Sequence, residues 1–413
     1  MKIAILHDNF PPHSIGGADI VAFTFAKQLQ REGHDILVIT TARKPSDAGV
    51  SVYEGLTVHT IATSYDLRFQ AYVSLWNVPV VRKVKKILAD FKPDVVHAHN
   101  VHGYLSYRSL AVAKKLGSRV VLTCHDVMSF NYQKLTDFIN PNDLSVPAIF
   151  NYKVSAWRQF RINRYRYNPL RNILIRNALK MYVDQIVAVS DALRQALGDN
   201  GIGNATVVHN GIDANEWQEP QEAIDAFKRE QGLGESVVLF GGRLTSIKGG
   251  GKLLAALSEA VKSCPEVQLL VIGKKDAYAE RMLAEAKGLG LGGKVVFTGW
   301  IEERALHLAY HAAALVAVPS LCFDSFPTMN LEAFACGKPV IASCFGGSRE
   351  LVTDGESGYI INPYDVPTFA KKVTGLLADK EKRAQFGAAA RARVKEVCSL
   401  ERQTAKLSRL FVR

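Results

Sequence analysis

The run Asp324-Ser325-Phe326-Pro327-Thr328-Met329-Asn330-Leu331-Glu332-Ala333-Phe334-Ala335-Cys336-Gly337-Lys338-Pro339 decides how this chain folds. Pro327 near its start, Gly337 just past its end and Pro339 beyond frame a short helix, because proline suits a first helical turn and glycine a left-handed cap. Apolar runs flank it, Leu315 to Val318 before and Val340 to Ala342 after. Strand, helix and strand in close succession mean parallel strands in a doubly wound sheet. The helix then opens at the carboxyl edge of that sheet, where ligands of such folds bind. Free amides and the helix dipole at that place favour an anion such as a diphosphate. Asp324 stands just before the helix and Glu332 on it, and ionised carboxylates beside an anion site are well placed to accept hydrogen bonds from sugar hydroxyls.

Outward from this segment the same alternation runs through all 413 residues. Strands are expected at Lys2–Leu6, Asp35–Thr40, Val95–His97, Arg119–Thr123 and Gln185–Val189, and again at Val237–Phe240, Gln268–Ile272, Lys294–Phe297, Leu315–Val318, Val340–Ala342 and Tyr359–Ile361. The turn signal Asn210-Gly211 and the polar stretch Glu216 to Glu222 separate the two series. The expectation is an α/β chain of two Rossmann-like doubly wound domains, 1–206 and 207–398. A last segment, 399–413, has apolar positions Leu400, Leu407, Leu410 and Phe411 that suit a helix docked on the first domain. The amino terminus offers one lysine and a four-residue apolar run ended by His7 and Asp8, too short for a signal-peptide core. The stretch from Ala305 to Phe323 lacks charge but contains His307, His311 and Pro319, so it is read as a helix and a buried strand rather than a membrane span. The six cysteines are scattered without a Cys-x-x-Cys pair, as in reduced cytosolic proteins.

A second candidate element is Gly241-Gly242-Arg243-Leu244-Thr245-Ser246-Ile247-Lys248-Gly249-Gly250, which follows one strand and precedes a helix. Its glycines permit close backbone approach to a ligand. Arg243 offers a planar fork and Lys248 a point charge, a pair suited to a diphosphate leaving group. Such fixed cations can replace a divalent metal, and the chain has no Asp-x-Asp pair to hold one. The plain alternative is a glycine-rich turn with two surface cations. His97 and His99, with His102 beyond, lack a third ligand at suitable spacing, so no metal site is assigned. Trp300 could bound a nucleobase pocket or lie in the interior. Ser190-Asp191 is a helix start.

The net charge of +12 is unevenly shared. Residues 1–206 carry 25 basic and 15 acidic side chains, against 26 and 24 in residues 207–413. The densest basic stretch, 151–180, is expected to be helical and interleaves its cations with Tyr152, Trp157, Phe160, Tyr165 and Tyr167. That composition suits an anionic membrane surface, with a solvated basic helix as the plain alternative. No helix-turn-helix, zinc-finger or RNP-like pattern is present, so nucleic acid is not an expected partner.

Gly241-Gly242-Arg243-Leu244 with Lys248-Gly249, the carboxylate pair Asp324 and Glu332, and Gly346-Gly347-Ser348-Arg349-Glu350 together resemble the retaining nucleotide-sugar glycosyltransferases of GT-B fold, family four. The likeness extends from Gly16-Gly17 through His125-Asp126 to Asn210-Gly211-Ile212-Asp213 and is strongest over 237–365. It implies that Arg243 and Lys248 hold the donor diphosphate, Glu332 the ribose and Asp324 the donor sugar. His125 would lie beside the reacting sugar, and Gly16 and Gly17 would approach the phosphates from the other domain across a central cleft. Two departures stand out. Asp324 is one methylene shorter than the family's glutamate, so a sugar hydroxyl must sit closer or be held through water. Pro327 replaces a common glycine and brings no N–H, which leaves Thr328 and Met329, beside Ser325 and Phe326, to supply amides. The implied activity moves a sugar from a UDP- or GDP-linked donor to a lipid-linked or saccharide acceptor in the cytoplasm, at the inner face of the membrane if the basic stretch docks there, without a cofactor. A phosphorylase, hydrolase or epimerase on the same fold, or a non-catalytic basic lipid- or polyanion-binding protein, remain alternatives.

Overall fold

The computed structural model describes residues 1–13 and 16–412. They form two α/β units. The first takes the described residues of Met1–Phe138, Asn151–Gly211 and Leu400–Arg413, and the second takes Ile139–Phe150 and Ile212–Ser399.

The first sheet contains β1 (Lys2–Leu6), β2 (Asp35–Ala42), β3 (Gly49–Tyr53), β4 (Leu56–Ala62), β5 (Val95–Ala98), β6 (Arg119–Cys124), β7 (Gln185–Ala188) and β8 (Ala205–Val207), in the order β3-β4-β2-β1-β5-β6-β7-β8. The second contains β9 (Val237–Gly241), β10 (Gln268–Ile272), β11 (Val295–Gly299), β12 (Leu315–Val318), β13 (Val340–Ser343) and β14 (Gly358–Ile361), in the order β11-β10-β9-β12-β13-β14. The paired strands run parallel except β3 and β4. Central strands such as β1, β9 and β12 are almost wholly apolar and buried, because helices cover both faces of such a sheet. Strand order reverses between β1 and β5 in one sheet and between β9 and β12 in the other. Those reversals open the crevices where a doubly wound sheet can take a ligand.

Several elements depart from the sequence expectation. The units divide at Gly211 and Ile212 rather than at 206, since β8 pairs with β7 and completes the first sheet. Residues 139–150 belong to the second unit, where the carbonyls of Asp143 and Ser145 accept from Asn362 Nδ2 at 2.8 and 2.9 Å. The β3–β4 hairpin was not expected. The basic stretch 151–180 is not one helix: Ala156–Asn163 ends in a short 3-10 turn at Arg164–Arg166, and a new helix spans Arg171–Tyr182. The last helix, Leu400–Arg409, agrees with the expectation: it belongs to the first unit, placing Leu400, Leu407 and Phe411 in the core that holds Ile3, Ile5 and Phe25. All six cysteines are free and buried. Among the described residues, no helix is long and apolar enough to cross a membrane.

Candidate active site

The β9–β12 crevice gathers most of the expected donor residues. β9 ends at Gly241, and the chain turns through exposed Arg243 and the short 3-10 segment Ser246–Lys248 into the helix Gly250–Ala260. This loop lies against the end of β12, with Leu321 N–H donating to the Ile247 carbonyl at 2.7 Å. Gly249 makes the approach possible. Its φ is +83°, and a Cβ there would lie 2.0 Å from the Pro319 carbonyl oxygen.

Lys248 Nζ consequently reaches Asp324 Oδ2 at 2.7 Å, and the same oxygen accepts from Ser320 Oγ at 2.8 Å. Burial pulls the Lys248 pKa down, but the charge and hydrogen bond of Asp324 outweigh it and the net shift is upward. The ammonium therefore stays protonated near neutral pH. Arg243 is close enough to act on it electrostatically, so two fixed cations share this corner.

The helix Thr328–Ala335 starts beside them with Pro327 at its N-cap, and no side chain caps it. An α-helix leaves its first amides without intrahelical partners, so those of Thr328 and Met329 are suited to an anion. At the other end, Gly337 N–H donates to Phe334 O at 3.0 Å and Lys338 N–H to Ala333 O at 2.8 Å. This is the Schellman pattern that stops a helix at a left-handed glycine. Four residues into the helix, Glu332 accepts from Tyr310 Oη. Burial raises the Glu332 pKa, while hydrogen bonds from Tyr310 and Thr328 oppose the rise.

Other expected residues are placed differently. Ser325, Phe326 and Pro327 have buried side chains, Phe326 as a core ring. Trp300 follows the edge strand β11, which β10 separates from β9. Its indole N–H donates to Glu302 Oε1 at 2.6 Å and its ring is 41% exposed.

In the first unit the carboxyl ends of β1, β5 and β6 bring His7, His99 and His125 together. His99 Nδ1 and His125 Nε2 are 2.8 Å apart, so one ring donates to the other and Nδ1 is the His125 nitrogen left for a ligand. Burial pushes the His125 imidazole down to about 4 against the pull of Asp126. Neutral at pH 7, it can exchange a hydrogen bond with a hydroxyl but does not supply a cation. Gly16 precedes the helix Gly17–Arg31 and donates its N–H to Asp19 Oδ2 at 3.1 Å. Among the described residues, no three or more His, Cys, Asp or Glu side chains are grouped to hold a metal ion.

Three groups escaped the sequence reading. Tyr310 sits in the helix Glu303–Ala312 with nothing to distinguish it from a core aromatic. Ser320 lies four residues before Asp324 in a strand-end loop, a spacing that could have drawn notice. Asp8 is buried after β1 and accepts from the amides of Gly103, Tyr104 and Leu105 at 2.6, 2.8 and 2.7 Å, which fixes the turn after β5.

Comparison with known proteins agrees with this layout. Glycosyltransferase Family 4 matches residues 15–216, and Glycosyl transferases group 1 matches residues 221–393. Glycogen synthase of Mycobacterium tuberculosis is 25% identical over 409 residues, covering 95% of this chain and 90% of that protein. Phosphatidyl-myo-inositol mannosyltransferase of Mycolicibacterium smegmatis is 26% identical over 390 residues, with 92% and 86% covered. The crystal structure of Anabaena HepE in complex with UDP and glucose superposes with a TM-score of 0.73 at 21% identity, covering 99% of this chain and 98% of that one, a likeness of fold. The chain therefore belongs to the glycosyltransferases of GT-B fold, with a family 4 first half and a group 1 second half.

Proposed function

We propose that this protein is a retaining, metal-independent glycosyltransferase that takes a hexose-type sugar from a UDP- or GDP-linked donor and passes it to a hydroxyl of a lipid-linked or growing saccharide, as in cell-surface polysaccharide synthesis. The observation that supports this reading is the Lys248–Asp324 contact at the β9–β12 crevice, with Arg243 within electrostatic range of Lys248 and the helix Thr328–Ala335 opening four residues after Asp324. Glycosyl transfer builds positive charge on the sugar ring and negative charge on the departing diphosphate. Lys248 and Arg243 carry fixed charge where that diphosphate would leave, and the amides of Thr328 and Met329 add donors that need no reorganisation during reaction. Asp324 holds the Lys248 ammonium in place and keeps it protonated. Glu332, with Tyr310 on one oxygen, would receive the ribose hydroxyls. His125, a neutral hydrogen-bonding group, would meet the transferred sugar or the acceptor. Retention is the stereochemical course the family resemblance implies, and no side chain is assigned as a covalent nucleophile.

The charge placement also supports independence from divalent metal, since two protein cations would do the work of one. A panel of UDP- and GDP-sugars with lipid-linked and oligosaccharide acceptors tests the reading. Transfer with one of these pairs should continue in EDTA. Activity that vanishes and returns only with magnesium or manganese would contradict it.

A further inference from the structure

The split of the basic stretch gives it two unlike faces. Inward, Gln159 and Arg171 are buried: Gln159 accepts from Tyr132 N–H at 2.9 Å, and Arg171 donates to the Met128 carbonyl at 2.6 Å. These residues brace the loop that follows His125 and are closed to any partner. Outward, the two helices and the turn between them expose Trp157 (66%), Tyr165 (62%), Ile173 and Met181, together with Arg161, Arg164, Arg166 and Arg176.

A second segment, distant in sequence, joins this face. Tyr72 Oη donates to the Tyr165 carbonyl at 3.1 Å, which brings residues 66–76 alongside. That segment adds exposed Phe69 and Trp76, and Arg108 lies over the Trp76 ring at 5.3 Å. From Asn151 to Tyr182 there are eight basic side chains and no acidic one, and only Arg171 of the eight is buried. The neighbouring carboxylates are spoken for, Asp137 by Arg158 at 3.1 Å and Asp66 by Arg68. Arg166 also acts on Asp66. Arg161, Arg164 and Arg176 face outward without an ion pair among the described residues, among aromatic and aliphatic groups left in water.

We infer that this two-part face, built from residues 66–76 and 157–181, docks on an anionic phospholipid surface. Guanidinium groups meet lipid phosphates there, while indole and aliphatic side chains bury at the headgroup boundary. The exposed aliphatic positions favour a bilayer over nucleic acid, whose backbone and bases offer Ile173 and Met181 nothing to bury against. The inference is independent of the donor reading, because it is measured without any sugar or nucleotide.

Sedimentation with vesicles of phosphatidylcholine plus phosphatidylglycerol, and with phosphatidylcholine alone, tests it. The full chain should sediment with the mixed vesicles and not with the neutral ones. The pair Phe69→Ala and Trp76→Ala, which lies outside the basic stretch, should weaken binding by about tenfold or more, as should Trp157→Ala with Tyr165→Ala. Arg161→Gln with Arg164→Gln should do the same. All these side chains are exposed, so melting temperatures should stay unchanged. Full retention by the aromatic variants, or equal binding to neutral vesicles, overturns the inference. So does a pattern in which only the arginine pair loses binding and an oligonucleotide is captured as well as vesicles, since that marks a general polyanion site.

Discussion

Glu332 is a carboxylate placed where burial works against its charge, and Tyr310 is the group that makes the position tolerable. The tyrosine hydroxyl donates to Oε2, and its own pKa is pushed well above the usual value by burial and by Glu332, so it remains a donor across the working pH range. Tyr310→Phe leaves a buried oxygen short of a partner, a loss of about 1–3 kcal/mol. The sign with pH follows from the raised Glu332 pKa. A carboxyl raised in the folded state loses stability as pH climbs from the unfolded value through the folded one, and deleting Tyr310 lifts the folded value further. Denaturant unfolding should therefore show a larger deficit for Tyr310→Phe at pH 8 than at pH 5, and an equal deficit at both would contradict the assignment. None of this was legible from the chain, where Tyr310 resembles any core aromatic. Lys248 and Asp324 were legible one by one because of their motifs, but they lie 76 positions apart and their contact depends on β9 and β12 being neighbours.

At the level of elements, the helix Thr328–Ala335 was readable since Pro327, Gly337 and Pro339 each restrict the backbone locally. The β3–β4 hairpin was not. Its turn is Glu54-Gly55 rather than a strong turn pair, and β3 exposes Val50 and Val52 at the edge of the sheet instead of burying a face. The basic stretch misled for a different reason: charge spacing looks helical throughout, but Asn168-Pro169, a local breaker, stands between the turn Arg164–Arg166 and the helix Arg171–Tyr182. The loop from β9 to the helix Gly250–Ala260 carries an element-scale prediction. Gly249→Ala adds a methyl group 2.0 Å from the Pro319 carbonyl in a left-handed backbone, so loop and strand end must separate. A loss of about 3 kcal/mol is expected. It should appear as a lowered melting temperature together with weakened nucleoside diphosphate binding, and an unchanged melting temperature would rule out the close approach.

Taken as a whole, the molecule divides its tasks between units that the sequence distinguishes by charge. Residues 1–206 hold nearly all of the basic excess and the imidazole cluster, while the second unit holds the paired cation and carboxylate of the β9–β12 crevice. Two doubly wound sheets were readable from the alternation of apolar runs with amphipathic stretches. The chain's return to the first unit through Leu400–Arg409 was readable from its apolar positions Leu400, Leu407, Leu410 and Phe411, whereas the transfer of residues 139–150 to the second is a tertiary choice that no local pattern announces. The account rests on Lys248 and Arg243 receiving a diphosphate, and calorimetric titration of UDP and of GDP into the wild-type protein, Lys248→Ala and Arg243→Ala measures that directly. One of the two nucleotides should bind the wild type, and each substitution should weaken it by at least about tenfold, the loss of a charge-assisted hydrogen bond worth about 1.5–3 kcal/mol. Wild-type affinity in both variants would contradict the account.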